Sequence, residues 1–493
     1  MSVSSTTVKR PAAFTTMTHL DAALHRNPPG VLDAPFAAAS IGMLALISIL
    51  AFEQLAVATV MPGVAAALNG GGLYAAAFGA AVAAGIAGMV AAGSVAPVAG
   101  PTAPLTVGAV AFALGLVLAG IAPDMRLLVL GRALQGGGGG LMSVALYVVV
   151  GRHYPSSLHP RIFAAFAGAW VLPAIVGPAL AGLIARHLGW RWVFLAAALL
   201  TVPALLLLQR GLAGLTPAGA LSKASGAALG TSSATPARRE IVAAIATAIS
   251  AALLYAGGQA LDLRALLLAL AALAGLAVFA PRLLPAGSLR AAQGLPAVVA
   301  LRGLVAANFF AAEVFLPLLL TTERGLSPVQ AGLVLTVGAL GWSAGSWFQG
   351  REGRASDDAA CVRRLRTGLA MMGGGTLIVA LALLPALPIA PAVAVTVGGW
   401  LLAGTGIGLV FPTLSVLALR FAPPQQQGRA SSALQLSDSL FSAVGLALAS
   451  ALLGAVQPHS PPAAFAAGLA LAAALSLVGV AVASRARLTE PGS

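Results

Sequence analysis

The sequence predicts an all-α polytopic membrane protein: two six-helix bundles with two extra central helices, fourteen transmembrane helices in all. Three observations carry this. Apolar runs of roughly 18 to 25 residues, the length needed to cross a bilayer, recur along the whole chain. Only 8% of the 493 residues are charged and 59% are hydrophobic, whereas about a quarter of a soluble domain is charged. The basic residues gather in alternate loops, as cytoplasmic loops of membrane proteins do.

In order, residues 1–36 read as a polar tail with Lys9, Arg10 and Arg26. No apolar segment with a small-residue cleavage site follows, so the tail is expected to be cytoplasmic rather than a signal peptide. The first bundle, 37–208, holds helices expected at 37–65, 73–97, 103–122, 126–150, 161–186 and 190–208. Residues 209–239, rich in Ala, Gly, Ser and Thr, read as a cytoplasmic linker. An extra pair, 240–281, follows with helices at 240–257 and 263–280. The second bundle, 282–484, holds helices at 296–320, 328–349, 365–384, 391–418, 429–455 and 462–484, and 485–493 is a second cytoplasmic tail.

The charges test this arrangement. With both termini inside, 21 of the 27 Lys and Arg fall in cytoplasmic segments, 5 outside, and Arg132 alone inside a span. Arg302, at the start of the ninth helix, is counted with the cytoplasmic set. The expected location is a plasma membrane of the bacterial inner-membrane type. The same distribution argues against nucleic acid as the partner of a chain with net charge +14, and the few Trp and Tyr form no basic-aromatic surface. Cys361, the single cysteine, excludes an intramolecular disulfide and is expected as an inert thiol in a charged loop. Glycine-rich phosphate loops ending in Lys-Ser/Thr are absent, as are His-Glu-x-x-His and paired-Cys patterns. No cofactor, metal or enzymatic activity is expected, and the chain is expected to act as a monomer.

The stretch Gly131–Gly182 concentrates the chemistry. Arg132 sits inside an apolar helix, Gln135 shares its face three residues on, and Gly136 opens a run of five glycines. A cation at membrane depth is costly and faces a partner or a water-filled space, while clustered small residues let helices approach closely. The next helix carries Pro173 and Gly177-Pro178, and an internal proline removes a backbone bond and bends a helix. Two neighbouring helices lining something polar point to a transport pathway.

These residues also carry a family resemblance. LVLGRALQGGG, from Leu128 to Gly138, resembles the fourth-helix motif of the major facilitator superfamily, and GAWVLPAIVGPALAG, from Gly168 to Gly182, its fifth-helix antiporter motif. Ala181 stands where that motif usually has glycine. Phe52-Glu53-Gln54, with Pro62 nine residues after Glu53, resembles the first-helix motif of the branch of drug:proton antiporters with fourteen helices, with Glu in place of the commoner Asp. The resemblance implies a proton-coupled exporter of a small-molecule substrate, Arg132 taking part in proton transfer, and helices 1 and 4 lining one cavity. It also implies that Gly177 and Gly182 keep the fifth helix smooth against a neighbour. The loop Gly93–Pro101 departs from the family, which carries an aspartate and basic residues there to latch the two halves; here it has no charge. Gly345–Arg351, at the equivalent loop of the second half, keeps Arg351.

Three acids fall inside expected spans: Glu53, Glu313 and Asp438. An intramembrane acid is a candidate functional site. Glu53 is the expected main proton-coupling acid with Arg132 as its nearest cation, Glu313 its main competitor and Asp438 third; a polar helix–helix contact is the alternative for the last two. Gln54, Gln135, Gly136, Pro173, Gly177, Pro178 and Gly182 complete the expected cavity and motif set. The reading is an exporter of amphipathic or lipophilic compounds by alternating access. Its rivals are an uptake carrier or facilitator for a polar metabolite, and a non-transporting receptor or assembly protein on the same fold.

Overall fold

The computed structural model describes residues 30–70, 73–215, 238–257, 263–351, 357–456 and 460–487. Most of the expected linker and both tails lie outside these. Among the described residues the chain forms fourteen α-helices. They are α1 Ala37–Ala67, α2 Tyr74–Ala99, α3 Thr102–Gly120, α4 Met125–His153, α5 His159–His187, α6 Arg191–Ala213, α7 Arg238–Gly257, α8 Leu263–Phe279, α9 Leu295–Thr322, α10 Pro328–Arg351, α11 Asp358–Ala380, α12 Ile389–Phe421, α13 Gln427–Val456 and α14 Pro461–Val482. All but α7 and α8 lie in the twelve segments long and apolar enough to cross a membrane.

The extra pair is shorter, with apolar stretches at Val242–Leu254 and Leu266–Arg282. The 20 residues of α7 nevertheless make a rod about 30 Å long, the thickness of a hydrocarbon core. The pair does not stand apart. Leu254 of α7 and Leu276 of α8 share one buried cluster with Ile86 of α2, Val299 of α9, and Leu436 and Leu440 of α13. The extra helices therefore cover the line where α2 of the first half meets α13 of the second. At one end Arg429 donates to Glu240 at 2.8 Å, joining α13 to α7.

Within the first half, α4 is the central post. Its N-terminus is set by Asp124, whose carboxylate accepts the Leu127 amide at 2.9 Å, the usual cap of a helix start. Its glycines pack on two sides. Gly136 and Gly140 face the backbone of α2 at Ala81 and Gly85, while Gly131 faces α3, where an added Cβ would lie 2.8 Å from the Gly115 carbonyl. Without a hydrophobic force between helices in lipid, such close backbone contact is what holds the bundle.

The halves meet through α2–α13 and α5–α10. Ser432 of α13 donates to the Met89 carbonyl of α2 at 2.8 Å, and a Cβ on Gly93 would sit 2.7 Å from the Ser432 Cβ. Gly350 of α10 lies against Ala164 of α5, and Gly151 of α4 against Gln427. All of these lie at the end of the bundle that holds the end of α4 and the beginnings of α5 and α13. Gly93, where the uncharged stretch begins, thus packs against the other half beside the neutral Ser432–Met89 hydrogen bond. Arg351 stacks on Trp347 of its own helix, 3.8 Å from the ring centre.

Two expectations change here. Helix α11 begins at Asp358, a full two turns before the expected 365, so Cys361 is a buried helical residue and not a loop thiol. An aspartate cap explains the early start: Asp357 accepts the Ala360 amide at 2.7 Å. Arg302 is not an end charge. It lies 3% exposed inside α9.

A valine at Gly138 would drive its side chain into α3, and we expect it to lower stability in detergent by at least ~1–3 kcal/mol, read as a drop in thermal unfolding temperature. Gly182→Ala, with open space around the new methyl, should be neutral or stabilising by up to about 1 kcal/mol.

Candidate functional site

Arg132 lies on the first turns of α4, 6% exposed, and Glu53 near the middle of α1, 8% exposed. The guanidinium forms an ion pair with the Glu53 carboxylate. The same nitrogen donates to Gln135 Oε1 at 2.6 Å, and Nε donates to the Ala77 carbonyl of α2 at 3.3 Å. One cation therefore ties together α1, α2 and its own helix, and Phe78 of α2 lies near its face, with its ring centre 6.0 Å away. The close approach of α2 to the glycine run makes this reach possible. The i, i+3 spacing puts Gln135 beside Arg132, as expected. The geometry excludes a snorkelling role for Arg132: its donors point at protein, not at an interface.

The other expected residues divide. Gln54, next to Glu53, turns away from the pair and is exposed, as are Ala58, Thr59 and Pro62 on the same side of α1. A Gln and a Thr on one exposed helix face suit a water-filled space better than lipid. Helix α5 stays continuous through Pro173 and Pro178. Pro173 and Gly177 are buried, and Gly177 faces Phe52 of α1 at ordinary contact distance, 3.6 Å. Pro178 is exposed. Gly182 is a correction: nothing lies within 4 Å of where its Cβ would be. It therefore smooths no helix contact in this structure.

The second half holds the other two acids. Glu313 is half-buried in α9 and has neither ion pair nor hydrogen bond among the described residues. It follows Phe309 by one turn of α9, and Phe309 stacks on Trp400 of α12 at 4.7 Å between ring centres and meets Trp342 of α10 edge-on at 5.3 Å. Asp438 of α13 is paired: Arg302 of α9 donates to its Oδ2 at 3.1 Å. Arg302 also lies over Phe411 of α12, 3.5 Å from the ring centre. Arg302 is the main residue that sequence reasoning missed. Its signal was available, since it falls seven residues inside a helix that runs apolar on both sides, but its nearness to a basic loop assigned it to the surface. Asn308, which donates to Ser476 Oγ of α14 at 2.9 Å, is a second buried polar residue that was passed over. Among the described residues no cluster of His, Cys, Asp or Glu could hold a metal ion.

The family described as Major Facilitator Superfamily matches residues 36–445. A protein of Mycobacterium tuberculosis named "Probable multidrug-efflux transporter" is 27% identical over 368 residues, covering 71% of this chain and 74% of that one. "Multidrug resistance protein 3" of Bacillus subtilis is 29% identical over 154 residues, 31% of this chain and 30% of its own length. Among solved structures, a human organic anion transporter superposes with a TM-score of 0.64 at 16% identity, covering 90% of this chain and 98% of that one. A proton:xylose symporter gives 0.62 at 14% identity, covering 90% and 94%.

Removing either partner of the Arg132–Glu53 pair strands a buried charge. We expect Arg132→Ala to destabilise by ~3–5 kcal/mol, and the neutral double variant Arg132→Met/Glu53→Gln to recover most of that loss. Arg132→Lys keeps the charge but cannot reach three partners in a fork, so it should fall between. Thermal unfolding in detergent measures all three; an alanine variant as stable as the wild type would contradict the pairing.

Proposed function

The chain belongs to the major facilitator superfamily, a family and fold of multi-pass membrane transporters rather than enzymes, and on that premise we propose that it is a proton-coupled exporter of small amphipathic or lipophilic compounds working by alternating access. The names of its relatives support the substrate class. The asymmetry of Lys and Arg supports a bacterial-type inner membrane with both termini cytoplasmic. In that orientation the packed end, with Gly93 against Ser432 and Gly350 against Ala164, is cytoplasmic, and the conformation is outward-facing.

The observation that carries the reading is the buried pair of Arg132 and Glu53 beside the exposed polar face of α1. Arginine does not release its proton in proteins, so Glu53 is the member that exchanges one. When Glu53 is ionised, the pair is neutral and α1 is bound to α4. When Glu53 takes a proton, Arg132 keeps only Gln135 and the Ala77 carbonyl, and the tie to α1 is weakened. Proton occupancy thereby alters how a cavity-lining helix is held, which is the two-state linkage that coupling requires. Glu313, unpaired in the second half, is the alternative carrier, and the substrate lies between the bundles near the membrane midplane.

The test uses proteoliposomes and ethidium as the probe. Glu53→Gln fixes a neutral isostere. Export driven by a proton gradient should fall at least tenfold, while ethidium counterflow without a gradient persists. Wild-type pumping by Glu53→Gln would contradict the assignment. If Glu313→Gln shows the uncoupled behaviour instead, the carrier is Glu313 and the mechanism stands.

A further inference from the structure

The second half buries an arginine–carboxylate pair of its own, which no motif of the sequence accounts for. Arg302 is seven residues from the start of α9, and Arg132 seven residues from the start of α4. Each is therefore about 10 Å along its helix. The two helices start at opposite ends of the bundle. The end of α4 lies at the start of α13, with Gly151 against Gln427. Helix α13 in turn is bonded to the first turns of α9, where Ser437 donates to the Val299 carbonyl at 2.7 Å. The Arg132 pair thus serves the open end and the Arg302 pair the packed end.

The second pair ties α13, one of the helices that meets the first half, to α9 of its own half. Gly303, next to Arg302, lets α13 come close, since a Cβ there would lie 2.6 Å from Ser437 Oγ. Asp438 is the next residue on α13. Six residues earlier the same helix donates from Ser432 to Met89 across the halves. The pair is also incompletely satisfied: Arg302 Nε and Asp438 Oδ1 are buried with no hydrogen-bond partner among the described residues. Arg302 approaches the Phe411 carbonyl and Ser415 Oγ of α12 at 3.4 Å each. A purely structural buried pair is stabilising only when its remaining donors and acceptors are filled. Unfilled valences, with a second set of acceptors at the edge of reach, fit a pair that is made and broken.

We propose that Arg302 is the positioning residue of a second proton-coupling site, in which Asp438 binds and releases protons at the packed end while Glu53 and Arg132 serve the open end. The proposal rests on the proton-coupled reading above. The step is a proton transfer alone. Asp438 takes a proton from hydronium on a carboxylate oxygen, leaving water; Arg302 is released toward Ser415 and the Phe411 carbonyl, and α13 loses its charged tie to α9. When the packed end opens to water, the proton leaves and the pair re-forms.

The charged surroundings of Asp438 are sparse. Helix α9 presents Arg302, with Glu313 eleven residues farther along it. Helix α12 presents Phe411 and Ser415, which do not titrate in this range, and carries Arg420 in its last turn, paired with Asp358 of α11 at 2.6 Å. Helices α2 and α14 contain no charged residue. Helix α7 contributes Glu240, already paired with Arg429 at the start of α13, and α4 contributes Arg152 and His153 at its last turn.

The experiment measures ethidium export in oriented proteoliposomes while the pH is varied on each side separately. Removing a neighbouring cation makes a carboxyl hold its proton more tightly. With Arg302→Met, the pH midpoint read from the packed side should therefore rise by about one unit or more, with the midpoint read from the open side unchanged. Arg302→Lys, which keeps the cation, should bring the packed-side midpoint most of the way back to the wild-type value. A lower maximal rate with an unmoved packed-side midpoint would overturn the proposal and leave Arg302 a strut. Should the single variant fail to fold, the neutral double Arg302→Met/Asp438→Asn removes the stranded charge. It should lose packed-side pH dependence; wild-type dependence in it would overturn the proposal. A wild-type protein indifferent to pH on both sides would instead overturn the proton-coupled reading itself, a result visible before any variant is made.

Discussion

A permanently charged arginine has been placed where water is scarce, and much of the first half is arranged to make that tolerable. An isolated cation at this depth would cost several kcal/mol, and Arg132 is neutralised by Glu53 and further bonded to Gln135 and the Ala77 carbonyl. Those partners come from three helices. They can converge only because Gly136 and Gly140 let the backbone of α2 lie directly against α4. The glycine run and the ion pair are therefore one device: the small residues bring the helices into contact, and the contact brings the carbonyl into reach of the guanidinium. The exposed polar face of α1, with Gln54 and Thr59, lies around the helix from this pair.

The second half solves the same problem with different helices. Its arginine comes from the first helix of the bundle rather than the fourth, its carboxylate from α13, and the face of Phe411 replaces part of the missing hydrogen bonding, as an aromatic ring can for a cation. The closure between the halves is correspondingly neutral. Ser432 and Met89 share one hydrogen bond, and Gly93, Gly350 and Gly151 admit close packing. Contacts of this kind are worth on the order of 1 kcal/mol each. Neutral contacts of this kind can be undone by a comparable change in the energy of an ion pair, which suits the alternating access proposed above.

The sequence made the helices legible because span length and apolar composition are local properties. It also made the Arg132–Gln135 face and the Glu53–Arg132 pairing legible, since a lone cation and a lone acid at membrane depth must find partners. Arg302 escaped because a charge near a helix end next to a basic loop looks like surface, and only the tertiary approach of α12 and α13 buries it. Cys361 was misplaced for a related reason: the charges of Arg363, Arg364 and Arg366 resemble a loop, yet Asp357 caps a helix that carries them. Gly182 was assigned a packing role from its motif, and which ends of α5 are packed depends on the conformation, which no local pattern encodes.

In the proposed cycle Glu53 exchanges a proton while held by Arg132. Infrared difference spectroscopy of the purified protein during an acid jump reads it directly, through the carbonyl stretch of a newly protonated carboxyl group. The wild-type protein should show this band, and Glu53→Gln should lack it. An unchanged spectrum in Glu53→Gln would contradict it.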